Sequence, residues 1–169
     1  PATARDSALS PLRTVGGCYG ARRAGRCSPR RPGAPTARGS RMRVPLPVVG
    51  CSEQEVNSIR GIGDQFALKT KHHDTGLHSR YAPQGGPAEE MFEWIEEARI
   101  ASIGSLYMEG VAQNLDARLE TQCQQAAFDS ITAETDAPLS VAVGLLVRQE
   151  LTGRELPPSA ENVVRFWRE

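Results

Sequence analysis

Two amphipathic segments, separated by a turn that cannot be helical, constrain this chain more than any other feature. Upstream of the turn, apolar or small residues recur at steps of three and four, namely Val56, Ile59, Gly63, Phe66 and Ala67. Downstream, the same spacing connects Met91, Ile95, Ala98, Ser102 and Leu106. Between them, the run from Tyr81 to Pro87 holds two prolines and two glycines, which interrupt a helix. The pattern predicts an all-α fold with a helical hairpin as its core.

The first helix of the hairpin has a clear start signal. Ser52 and Glu55 form an S-x-x-E capping box, in which each side chain satisfies an amide of the first turn. We expect this helix to run from about Glu53 to about Thr75.

The second helix begins after the turn, where Pro87 suits a first helical position. Gly104 and Gly110 interrupt it and permit a kink or a close approach of two backbones. The helix is expected to resume beyond them and to end at about Cys123.

Additional C-terminal helices complete the predicted fold. Asp136 is expected to cap the first of them and Gly153 to end it. Its predicted apolar stripe is Leu139, Val143, Leu146 and Val147. Ser159 is expected to cap a last helix that carries Phe166 and Trp167, which predict either a clasp onto the core or an exposed contact.

The N-terminal part of the chain differs in composition from the rest. Residues 1–50 hold ten arginines against one acid, whereas residues 51–169 hold ten bases against nineteen acids. Residues 1–40 have few large aliphatic side chains and cannot bury enough apolar area to offset their ordering entropy. We predict a disordered Arg/Pro/Gly-rich segment over residues 1–40, an extended linker over 41–51 and a helical domain over 52–169. Two alternatives stay open for the first segment: out-of-frame, non-native sequence, or a nucleic-acid contact that Tyr19 alone supports poorly.

Composition also bears on the cellular compartment. There is no apolar run of the ~20 residues that a bilayer span needs and no secretory signal pattern, so a cytoplasmic protein without membrane contact is expected. Cysteines at positions 18, 27, 51 and 123 are irregularly spaced and are interpreted as free thiols.

The only histidines, His72, His73 and His78, surround Asp74. Two metal ligands on one helix want a spacing of four, but these histidine pairs are five and six apart within one continuous helix. Asp74 and His78 do have that spacing, which suits a carboxylate that orients an imidazole. We therefore predict structural histidines that hold the hairpin turn, and no metal site.

No catalytic or cofactor-binding residue is predicted either. A cluster of acids is expected on the solvent face of the second helix, without a buried environment that would raise a pKa; it comprises Glu89, Glu90, Glu93, Glu96 and Glu97. Phosphate-loop and nucleophile-elbow motifs are absent from the sequence. The isolated domain is expected neither to hydrolyse ATP nor to bind a metal ion tightly. Trp94 is expected to be partly exposed as an anchor for a partner, the alternative being a tryptophan packed against a C-terminal helix.

Several blocks, in order and at matching spacing over about residues 41–169, resemble the N-terminal region of the CobT subunit of aerobic cobaltochelatase. These blocks are Arg60-Gly61, Asp64, Ala67-Leu68, His72-His73-Asp74, His78, Pro83-Gln84-Gly85, Glu97-Ala98-Arg99, Ile103-Gly104, Met108, Gly110-Val111-Ala112, Asn114-Leu115, and Asp136-Ala137-Pro138-Leu139 through Thr152-Gly153.

The resemblance implies a non-catalytic assembly role in the ATP-dependent enzyme that inserts cobalt into hydrogenobyrinic acid a,c-diamide during aerobic cobalamin biosynthesis. It implies an AAA+ CobS-type partner, a large CobN-type chelatase partner and a homo-oligomer within a complex that uses ATP, Mg and cobalt. The family's von Willebrand A-type domain and its D-x-S-x-S motif are absent here, so the chain is expected to be a fragment. The competing class is a helical adaptor unrelated to metal insertion, whose basic tail contacts nucleic acid.

Overall fold

The computed structural model describes residues 36–38, 41–47 and 49–168. In this part of the chain, a short antiparallel β-hairpin is followed in sequence by six α-helices. The elements are β1 (Thr36–Arg38), β2 (Arg41–Arg43), α1 (Glu53–His72), α2 (Thr75–Tyr81), α3 (Gly86–Tyr107), α4 (Glu109–Gln125), α5 (Leu139–Thr152) and α6 (Pro158–Val164). Two 3₁₀ turns, Phe128–Ser130 and Glu134–Asp136, connect α4 to α5. The predicted all-α class is confirmed, with the two-stranded sheet as an addition. None of the described helices combines the length and apolarity needed to cross a membrane.

A small sheet lies at the predicted boundary between tail and linker. β1 and β2 pair so that Thr36 lies opposite Arg43 and Arg38 opposite Arg41. The predicted boundary between residues 40 and 41 lies between these two strands, and the predicted linker begins with β2. Most of the predicted disordered segment lies outside the described residues.

α1 begins as predicted. The Ser52 hydroxyl oxygen accepts from the amide of Glu55 at 3.2 Å, and the Glu55 carboxylate accepts from the amide of Ser52 at 2.8 Å. Both halves of the capping box are therefore formed.

The predicted end of α1 was wrong by three residues, and a separate helix was missed. α1 stops at His72, and α2 starts at Thr75. Asp74 causes the break, because its carboxylate accepts hydrogen bonds from the amides of Gly76 and Leu77 at 2.8 and 2.9 Å and so caps a new helix.

The pairing of the helices also differs from the prediction. α1 packs chiefly along α4, and α3 chiefly along α5, whereas the contact between α1 and α3 is less extensive. Gly61 explains the first pair, because a side chain at this position would collide with the backbone carbonyl oxygen of Asn114. Gly144 explains the second, since a Cβ there would lie 2.7 Å from the Cβ of Trp94. Periodicity indicates that a helix has an apolar face, but it does not say which helix covers that face.

Close packing also selects different buried faces from those predicted. The predicted stripe of α1 is half-buried or exposed throughout, whereas the buried residues are Ser58, Gly61, Ile62 and Leu68. The predicted stripe of α5 is likewise half-buried or exposed, whereas the buried residues are Ser140, Val141, Ala142, Gly144, Leu145 and Arg148. Small residues occupy these faces because the helix backbones approach closely, and the larger apolar side chains lie at the edges of the contacts.

The interruption between α3 and α4 is a complete break. Met108 is extended, with φ −139° and ψ 97°, and separates the two helices. Gly104 leaves room for a side chain of α1, because a Cβ there would lie 2.5 Å from Leu68 Cδ1. Of the predicted stripe on α3, Ala98 and Ser102 are buried, but Leu106 is 58% exposed.

For the C-terminal helices, the predicted stop at Gly153 is confirmed, whereas the predicted caps Asp136 and Ser159 were wrong. Gly153 ends α5 in the left-handed conformation with φ 64°. Asp136 belongs to a 3₁₀ turn and does not cap α5, which begins at Leu139 without a side-chain cap. Ser159 lies in the first turn of α6, where its hydroxyl donates to Glu120 at 2.8 Å.

The core consists of two clusters. The larger one joins α4, α5 and α6, and its largest fully buried side chains are Cys123, Leu145, Val163 and Val164. Phe166 and Trp167 pack against it, which favours the predicted clasp. Cys123 and Cys51 are free thiols, while Cys18 and Cys27 lie outside the described residues. Burial raises the pKa of Cys123 to about 12, so this thiol is unreactive.

Candidate functional site

Two of the three histidines meet on one face of α3, where each contacts a carboxylate. His73 Nδ1 lies 2.9 Å from Glu96 Oε1, and His78 Nε2 lies 2.7 Å from Glu93 Oε1. The two imidazole centroids are 4.7 Å apart. The contacts join the α1–α2 junction to α3, which is the position predicted for histidines that hold the hairpin turn.

Arg99 strengthens one half of this cluster. Its guanidinium donates to both oxygens of Glu96 at 2.7 and 2.8 Å and to the carbonyl oxygen of His72 at 2.9 Å. The hydrogen bond from Arg99, together with that from His73, lowers the pKa of Glu96 from 4.5 to about 2.

The structure corrects one part of the sequence argument about the histidines. Asp74 caps α2 and does not orient His78, which contacts Glu93 instead. The objection to a metal site also assumed one continuous helix, whereas the chain breaks at His73. Within the described part of the chain, no group of three or more histidine, cysteine or acidic side chains is placed to hold a metal ion.

The acidic cluster does not lie wholly on the solvent face. Glu89 and Glu90 are exposed as predicted, but Glu93, Glu96 and Glu97 are partly buried. Burial raises the pKa of Glu97, against the opposing pull of the nearby positive charges. The expectation that no acid here has a perturbed pKa was therefore wrong. Helical periodicity predicts that the side of α3 with Glu97 faces solvent. In the structure, α1 and α4 cross this side and cover it in part.

Glu97 belongs to a polar layer that connects α1, α3 and α4. The Gln65 amide donates to Glu97, and the Gln65 carbonyl oxygen accepts from Arg118 Nε at 3.1 Å. Beside it, Asn114 donates to Asp64 at 2.8 Å. These bonds satisfy polar groups that are removed from water, and they fix the register of α1 on α4.

A second polar group fastens α4 to α5 through one carboxylate. Asp116 accepts from Arg148 at 2.6 Å and from Arg154 at 2.9 Å. Arg154 also reaches Glu109 at 3.1 Å, at the start of α4. Arg148 has only 9% of its side chain exposed, so its charge depends on Asp116 for compensation. Sequence reasoning missed both polar layers because no local pattern relates residues more than thirty positions apart.

A small cavity of about 40 Å³ lies between α1, α3, α4 and α5. Its polar lining includes Gln65, Glu97, Arg118 and Arg148. One water needs ~10–15 Å³ in this measure, so the cavity has room for a few waters, whereas ligand pockets measure hundreds of Å³. A nucleotide or a tetrapyrrole therefore does not fit inside it.

Trp94 was predicted to be partly exposed as a partner anchor; the partial exposure is observed, and the anchor role stays a prediction. The side chain is half-buried, lines the cavity and packs against the C-terminal core at Gly144 of α5. The absence of a side chain at Gly144 lets the backbone and Cβ of Trp94 approach α5 closely. The packing against a C-terminal helix that the stated alternative described is therefore also observed.

The pKa shifts of Glu96 and Glu97 have opposite signs, so the two carboxylates make the stability of the domain depend on pH in opposite directions. Glu96→Gln is expected to destabilise the domain by about 1–2 kcal/mol at neutral pH, because the amide cannot replace the charged bond to Arg99. The folded-state pKa of Glu96 lies below 4.5, so its stabilisation is present above that pH and disappears as the pH falls towards about 2. Urea denaturation of wild type and variant across this range measures the difference.

Glu97→Gln provides the comparison of opposite sign. The folded-state pKa of Glu97 is raised, so its ionised form costs stability as the pH rises above 4.5. The variant should be at least as stable as wild type at neutral pH, and the two should converge in acid. Identical pH dependence of the two variants would contradict the assignment.

Comparison with known proteins identifies a family for this chain. A family model described as cobalamin biosynthesis protein CobT matches residues 28–169. No solved structure matches the chain. The match covers most of the chain, including all six helices and the polar layers between them. The chain therefore belongs to the CobT family of cobalamin biosynthesis proteins.

Proposed function

We propose that this region is a non-catalytic assembly part of the ATP-dependent cobaltochelatase that inserts cobalt into hydrogenobyrinic acid a,c-diamide. In this proposal an AAA+ subunit of CobS type hydrolyses ATP, and a large subunit of CobN type holds the tetrapyrrole, while copies of this chain associate within the complex. The match of the CobT family model over residues 28–169 is the observation that carries the proposal.

The internal chemistry of the domain supports an assembly role. Its buried charges are occupied with each other: Asp116 pairs with Arg148, and Glu97 faces Gln65 and Arg118. The cavity beside them has room only for a few waters. These polar groups already pair with one another and hold the helices together. We therefore assign the binding role of this region to its surface.

The described surface offers one concentrated apolar site at the corner between α3 and α4. Leu106, Tyr107 and Met108 are consecutive and are 58%, 83% and 48% exposed. The ion pair between Arg154 and Glu109 places the end of α5 beside this corner, and Leu151 near that end is 46% exposed. We name Leu106, Tyr107 and Met108 the corner patch. Exposed aromatic and aliphatic side chains at one site are typical of a protein interface.

The corner patch replaces Trp94 as the proposed contact with the AAA+ subunit. Tyr107→Ala is expected to weaken binding to that subunit about 30-fold, corresponding to the ~2 kcal/mol of an interface anchor. The fold should be unaffected, because Tyr107 is 83% exposed. Calorimetric titration of the chain with the AAA+ subunit, with circular dichroism of each variant, measures both effects.

Tyr81→Ala is the matched control, since Tyr81 is an exposed tyrosine on α2, outside the corner patch. It should bind the AAA+ subunit within about twofold of wild type. Equal losses for both variants would refute the corner patch as the specific contact. A wild-type chain that does not bind the AAA+ subunit at all would refute the assembly role and favour the adaptor alternative.

A further inference from the structure

α2 is the least firmly attached helix of the described bundle. None of its residues is buried, and Leu77 and Tyr81 are 54% and 64% exposed. His78 is the half-buried residue of this helix, and its ring packs on Phe92 with a centroid distance of 5.1 Å. Burial of apolar side chains therefore contributes little to the docking of α2. The contacts of His78 provide most of the attachment of α2 to α3.

The hydrogen bonds of His78 determine which ring nitrogen carries its proton. Nε2 lies 2.7 Å from Glu93 Oε1, so this nitrogen is the donor. Nδ1 is buried and has no hydrogen-bond partner. The lone pair of an unprotonated Nδ1 is tolerated in this buried position. A protonated Nδ1 would instead be a buried N–H donor without an acceptor. The docked ring therefore fits the neutral Nε2–H form.

The charges around the ring offset a second proton only weakly. From α3, Glu93 faces His78, but its side chain is 42% exposed, and this weakens an ion pair. Glu96 is already occupied by His73 and by the guanidinium of Arg99. At the α1–α2 junction, the ring of His73 lies 4.7 Å from that of His78, so protonation of both would place two positive charges side by side. Asp74 is engaged with the amides of α2, and Arg80 of α2 lies over Tyr81.

We propose that His78 is a proton-sensitive clasp that docks α2 on α3 in its neutral Nε2–H form and releases α2 when the imidazole is protonated. Release requires only the loss of the contacts to Glu93, Phe92 and the ring of His73, because every other residue of α2 is exposed. α1 and α3 keep their own contacts with α4 and α5, so the rest of the bundle stays folded. The inference stands apart from the assembly role and does not depend on any partner.

Nuclear magnetic resonance of the full chain tests the clasp directly. Long-range ring ¹H–¹⁵N spectra at about pH 7.5 should show His78 as the Nε2–H tautomer. Between about pH 7.5 and pH 5.5, the hydrogen-exchange protection factors of the α2 amides should fall at least roughly tenfold, while those of α4 stay unchanged. An Nδ1–H tautomer, or α2 protection that is equal at both pH values, would overturn the proposal.

Two variants separate the clasp from a general effect of acid. His78→Gln keeps an N–H donor for Glu93 but does not titrate, so α2 protection should become independent of pH. His72→Gln removes a neighbouring imidazole whose described contact is through its backbone carbonyl oxygen, and it should keep the wild-type pH dependence. Persistence of the wild-type pH dependence in His78→Gln would refute His78 as the sensor. The tautomer of the wild-type ring decides the matter if His78→Gln fails to dock α2 at any pH.

Discussion

Gly61→Ala is expected to lower the stability of the domain by about 3 kcal/mol. A Cβ at this position would collide with the backbone carbonyl oxygen of Asn114 and would lie 2.9 Å from Arg118 Cβ. Neither obstacle is the mobile end of a side chain, so α1 has to move away from α4. That movement strains the Gln65–Arg118 and Asp64–Asn114 hydrogen bonds across the same contact. Overpacking of this kind typically costs 1–3 kcal/mol, and the strained bonds place the expected value at the upper end.

Gly63→Ala is the matched control in the same helix. Nothing lies within 4 Å of a Cβ at Gly63, and alanine is favoured over glycine within a helix by about 1 kcal/mol. Thermal unfolding should therefore show a melting temperature that falls by several degrees for Gly61→Ala and rises slightly for Gly63→Ala. Two variants that shift in the same direction by similar amounts would contradict the direct backbone contact between α1 and α4.

Asp116→Ala is expected to lower the free energy of unfolding by about 3–5 kcal/mol, because it removes the negative charge that pairs with Arg148. Asp116 accepts from Arg148 at 2.6 Å and from Arg154 at 2.9 Å. Arg154 retains Glu109 as a partner and is partly exposed, but the buried Arg148 loses its counter-charge. An unpaired guanidinium removed from water costs far more than the pair contributes when intact. Equilibrium unfolding in urea measures the loss.

Glu109→Ala tests whether burial, and not the number of ion pairs, decides the effect. Glu109 also pairs with Arg154, at 3.1 Å, but its side chain is 66% exposed. Exposed pairs contribute ~0–1 kcal/mol, so this variant should remain close to wild type. If Glu109→Ala were as damaging as Asp116→Ala, the fastening of α4 to α5 would depend on the exposed pair. A double variant, Asp116→Ala with Arg148→Met, should recover part of the loss because it removes the unpaired charge.

Local signals in the sequence predicted the starts and stops that depend on nearby atoms. The Ser52–Glu55 capping box and the left-handed Gly153 act within one helical turn, and both were found where they were predicted. Asp74 shows the limit of such signals. Its role as a cap was missed, because the same carboxylate also had the right spacing to orient His78.

The candidate site was predictable only in part for the same reason. The sequence identified the histidines as a feature of the hairpin turn, and the structure places His73 and His78 there, against Glu96 and Glu93. Their carboxylate partners are fifteen or more residues away, and the break at His73 determines which of them each ring reaches. The environment of Glu97 was not predictable, since its burial comes from helices that cross it and not from its neighbours in sequence.

By itself, the sequence determined the helical class, the capping box of α1, the stop at Gly153 and the membership of the CobT family, because each depends on short-range stereochemistry or on residue identity in order. Only the tertiary structure decided that α1 lies along α4 and α3 along α5. Helical periodicity gives the direction of an apolar face but not its partner, and in this domain small residues such as Gly61 and Gly144 make the closest contacts. Hydrophobic residues at the edges of those contacts look like the core in the sequence, whereas backbone approach determines the packing.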